Sequence, residues 1–150
     1  MKIHKPFLNI LREAKAGTVS GMLSELGLIR SHEHDIVLND ETARALEEVA
    51  YTIDFLEKNK LADSRFESGA VPRVTVPGAS THGASQAEYL NSLLERSYQK
   101  HLIVTPEFTL FAERGYQLPS VRNREYRILL LFVKTIVFAV ITALLNRLLL

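Results

Sequence analysis

The sequence predicts a mainly α protein: a small helical region, a Pro/Gly-rich linker and one long C-terminal apolar helix. Three observations predict it. Apolar residues recur at helical spacing beside capping residues over 6–26, 40–58 and 86–99; Gly69, Pro72, Pro77, Gly78 and Gly83 interrupt the chain between them; and residues 120–150 contain neither proline nor glycine. The 150-residue chain suffices for one ordinary domain, and the expected division is 1–60 amphipathic helices, 61–85 flexible linker, 86–119 short helices and 120–150 a transmembrane helix.

Pro6 suits a first helical turn, and Phe7, Leu8, Ile10, Leu11 and Ala14 follow it to a left-handed stop at Gly17. Thr18 or Ser20 caps a second short helix through Met22, Leu23 and Leu26, ended by Gly27, with Gly21 the discordant residue inside it. The polar run 31–35 reads as a loop leading into the brief apolar stretch Ile36, Val37, Leu38. Asn39 or Asp40 then caps the clearest helix. Its acids fill the first turn, and Ala43, Leu46, Val49, Ala50, Ile53 and Leu56 form one face.

The linker chemistry of residues 61–85 contains one β-prone island, Arg73-Val74-Thr75-Val76, read either as an extended tether or as a strand offered to a partner's sheet edge. A further helix starts near Ser85 and carries Ala87, Leu90, Leu93, Leu94 and Tyr98 on one side. Thr105, Pro106 and Glu107 then signal a short helix with Phe108, Leu110 and Phe111, closed by Gly115. A hairpin over 102–111 is the competing reading.

The C-terminal segment carries the functional expectation. Capped at Ser120, a continuous helix would reach about 40 Å, against about 30 Å of bilayer hydrocarbon. The anchor residues are Ile128, Leu131, Phe132, Val133, Ile136, Val137, Phe138, Val140, Ile141, Leu144 and Leu145, and within 128–145 only Lys134 is charged. Lys134, Thr142 and Asn146 lie on one stripe, an oligomer contact in hydrocarbon. Arg122, Arg124 and Arg127 ahead of the span orient the N-terminal body to the cytoplasm, as in a single-pass, tail-anchored membrane protein. The competing reading buries this helix in protein, within the fold or a larger assembly.

Composition removes other classes. A net charge of +1 offers no concentrated basic surface for nucleic acid, and without cysteine there is neither a disulfide framework nor a thiolate site. The basic N-terminus lacks the uninterrupted apolar core of a secretory signal. No glycine spacing matches a phosphate loop. His32 and His34 flank Glu33 and supply two metal ligands where a catalytic zinc needs three, with Asp35, His82 or His101 the outside candidates. Ser80 or Ser85 near His82 has no triad spacing to support it. Glu47, Glu48, Asp54 and Glu57 read as the solvated face of a helix.

The expectation is therefore a non-enzymatic, membrane-anchored interaction or scaffold protein, a small subunit of a larger membrane or viral assembly. Its partners would be the lipid bilayer and other proteins or itself, with no cofactor, nucleic acid or small-molecule substrate. Three alternatives stay open: a permeabilising oligomer whose polar stripe lines a pore, a soluble assembly subunit with the C-terminal helix buried in protein, and a metal-dependent hydrolase using His32 and His34.

Overall fold

The computed structural model of the chain describes residues 2–30, 35–77 and 81–118, together with 133 and 136. Five helices and five strands occur among them: α1 (Lys5–Ala14), β1 (Ala16–Thr18), α2 (Val19–Glu25), β2 (Asp35–Val37), α3 (Asp40–Lys58), β3 (Ala62–Phe66), β4 (Arg73–Thr75), α4 (Thr81–Ser97), β5 (Lys100–Val104) and α5 (Pro106–Glu113). The chain divides into two compact units, Met1–Leu110 and Phe111–Leu150.

The helices begin where side chains can satisfy their first amides. His4 Nδ1 accepts from the Phe7 N–H at 3.2 Å ahead of α1, Thr18 Oγ1 accepts from the Gly21 N–H at 3.2 Å ahead of α2, and Asn39 Oδ1 accepts from the Thr42 N–H at 2.8 Å ahead of α3. The expected glycine stop of α1 falls elsewhere. Lys15 adopts the left-handed conformation and donates its N–H to the Leu11 carbonyl, which releases Gly17 into β1. Gly21 also has a local explanation: a Cβ there would lie 2.9 Å from the capping oxygen of Thr18.

In the first unit β5 is the central strand of a three-stranded antiparallel sheet, in the order β1-β5-β3, with Gly17 opposite Leu102 and Ser64 opposite Leu102 from the other side. The strands β2 and β4 form a separate parallel pair, with Ile36 opposite Val74. Fully buried side chains from the helices and β5, including Phe7, Leu11, Ile53, Leu56, Leu94 and Leu102, build the core. Each contributes roughly 1.5–3 kcal/mol by leaving water. Thr52, fully buried on α3, donates to the Glu48 carbonyl at 2.6 Å and accepts from the His4 N–H at 2.8 Å, so α3 holds the start of α1. In the second unit, the Tyr116 N–H donates to the Phe111 carbonyl and the two rings meet edge-on at 5.6 Å.

Two expectations are corrected. The fold is mixed α/β rather than mainly α, and the segment read as a linker contains β3, β4 and the start of α4. The physical reason is that short polar strands draw their hydrogen bonds from partners distant in sequence, here β5 and β2, and show no apolar period of their own. The hairpin alternative over 102–111 is replaced by β5 followed by α5.

The single-pass, tail-anchored membrane protein with a cytoplasmic body is likewise not supported: among the described residues no helix is long and apolar enough to cross a membrane. The longest described helix, α3, is amphipathic, with Asp40, Glu41, Arg44, Asp54 and Lys58 exposed opposite its buried face. Most of the expected anchor, 119–132, 134–135 and 137–150, lies outside the described residues. Val133 and Ile136 are helical, and their side chains are exposed.

Candidate interaction surface

The outer edge of β3 is built by the way β3 pairs with β5. The Glu67 N–H donates to the Gln99 carbonyl at 2.8 Å and the Thr105 N–H to the Leu61 carbonyl at 3.0 Å, which sets the phase of the antiparallel ladder. In that phase residues 61, 63, 65 and 67 turn their backbone groups toward β5, and Ala62, Ser64 and Phe66 turn theirs outward. No hydrogen bond among the described residues engages those outward groups. Phe66 ends the strand 68% exposed, while Ala62 at the other end is 3% exposed, so the accessible part of the edge is confined to Ser64 and Phe66.

Beneath Phe66 lies a charged pair. Lys100, directly opposite on β5, places Nζ 2.8 Å from both carboxylate oxygens of Glu57 on α3 and 5.8 Å from the centre of the Phe66 ring. Lys100 is nearly buried, so the bidentate partner is what makes its position tolerable. Glu57, expected on a solvated helix face, therefore ties α3 to the sheet. On the opposite face of the sheet, Asp63 and Arg65 are exposed, and His101 Nδ1 sits 2.7 Å from Glu67 Oε1.

The edge of β4 is arranged differently. The side-chain amide of Asn91 on α4 accepts from the Val74 N–H at 2.7 Å and donates to the Val74 carbonyl at 3.0 Å, standing in for a neighbouring strand. The β-prone island thus pairs inside the fold, with β2 on one side and Asn91 on the other. Beside it runs an open cleft of about 430 Å³ lined by Val71, Pro72, Arg73, Glu88, Asn91, Ser92 and Glu95. Among its described lining residues there is no imidazole to activate the Ser92 hydroxyl, and the Asn91 amide is committed to Val74. A smaller cleft of about 70 Å³ near Tyr98 and Gln99 is partly closed by the Gln99 amide on the Gly69 carbonyl. Burial pushes the Tyr98 hydroxyl above its ordinary pKa.

The residues singled out from sequence are not gathered into a site. His32 and His34 lie outside the described residues; Asp35 is exposed on β2; His101 is on β5; and His82 is in the first turn of α4. Among the described residues no group of three or more His, Asp or Glu side chains could hold a metal ion. His4 serves as a helix cap, and burial lowers its pKa, with the Glu48 carboxylate opposing in part. Arg122, Arg124, Arg127, Lys134, Thr142 and Asn146 lie outside the described residues, as do the expected anchor residues apart from Val133 and Ile136.

Sequence reading missed Ser64, Phe66 and Asn91. The alternation of Ala62, Ser64 and Phe66 with Asp63 and Arg65 is a period-two pattern, but only Ala62 and Phe66 in it are apolar, so it does not announce a strand. No protein-family model, no curated protein and no solved structure matches this chain.

Proposed function

We propose that this protein is a non-enzymatic interaction module, a small subunit that joins a larger protein assembly by accepting an extended polypeptide segment at an open strand edge. The observation that carries this reading is the coincidence of large exposed apolar side chains with strand edges. Phe66 and Val37, 68% and 69% exposed, are the most exposed large apolar side chains among the described residues of the first unit. Each ends a strand, and each has outward-facing backbone groups: Phe66 by the phase of the β3–β5 ladder, Val37 because the next residue, Leu38, donates its N–H to the Thr75 carbonyl, so 36 and 38 turn toward β4 and 37 away from it. An open edge offers directional hydrogen bonds, and an apolar side chain at its end offers area to bury. Neither cleft supplies a comparable set of chemical groups.

The reading is tested in the full chain by placing a photoreactive residue at position 66, at position 37 and, as a control, at exposed Lys58. Discrete, stoichiometric cross-linked species from 66 or 37, absent from 58, are expected. Cross-links that are equally abundant from 58, or none from either edge at the protein's natural concentration, would overturn it.

A further inference from the structure

We draw no further inference here: the strongest candidate, the outer edge of β3 at Ser64 and Phe66, belongs to the surface already described, and nothing in the structure shows what covers it.

Discussion

The two sheets of the first unit treat their outer edges in opposite ways. β4 has both sides occupied, by β2 and by the amide of Asn91, whereas β3 has β5 on one side and, at Ser64 and Phe66, no hydrogen-bonded neighbour among the described residues on the other. A single side chain at the right helical position can replace a strand, since a carboxamide presents the same donor and acceptor as a peptide. The fold thus has the means to close an edge, and it closes the one beside α4 while leaving β3 open under an exposed phenylalanine. Edge strands left open are a hazard unless they are used or guarded.

The largest effect should come from breaking the strand on which the open edge depends. Leu102 is fully buried at the middle of β5, between Gly17 and Ser64, and Leu102→Ala should cost about 3 kcal/mol in chemical denaturation. A loss below about 1 kcal/mol would show that the three-stranded sheet does not carry the first unit.

Opening the closed edge comes next. Asn91→Ala removes both hydrogen bonds to Val74 and should cost about 2 kcal/mol. Hydrogen exchange then compares the edges directly. The Val74 amide should exchange roughly tenfold faster or more in the variant, while the outward Ser64 amide should exchange rapidly in both proteins. Unchanged Val74 exchange would mean that Asn91 does not guard that strand.

A smaller effect concerns pH at the other end of the core. His4 must be neutral for Nδ1 to accept from Phe7, and burial lowers its pKa below the ordinary 6.5. The unfolded chain then binds the proton more readily than the folded one. The His4 contribution is therefore complete above about pH 6.5 and declines as pH falls from there through the lowered folded value. His4→Asn, a strong cap without a titrating ring, should flatten this limb of the stability profile. A slope below pH 6.5 that is unchanged in the variant would assign the dependence elsewhere.

The smallest change should follow Gly21→Ala. The added Cβ displaces the Thr18 hydroxyl and forfeits a cap worth about 1 kcal/mol, while replacing glycine inside a helix regains about 1 kcal/mol. A midpoint shift within about 0.5 kcal/mol is expected, and a loss beyond about 1 kcal/mol would mean that the cap dominates.

The α3 pattern was legible because a helix satisfies its own backbone and advertises its buried face at fixed spacing. Asn39, the acids after it and the run from Ala43 to Leu56 need no knowledge of any other segment. The strands were not legible in this way. β1, β2 and β4 are three residues each, too short to show alternation, and Arg65 pairs with His101 across 36 positions of sequence. The edge surface suffered most. Asp63 and Arg65 look like ordinary linker polarity until β5 sets which backbone groups face outward.

By itself, then, the sequence determined the cores of the described helices, the Thr18 and Asn39 caps, the buried stripe of α3 and the absence of cysteine chemistry, because those depend on neighbours within a turn or two. Tertiary structure alone decided that Gly17 joins a strand, that Glu57 pairs with Lys100, that Asn91 closes one edge and that Ser64 turns its backbone groups outward on another. Each of those joins residues far apart in the chain, and the hydrogen-bonding direction of a strand is undefined until its neighbour is in place.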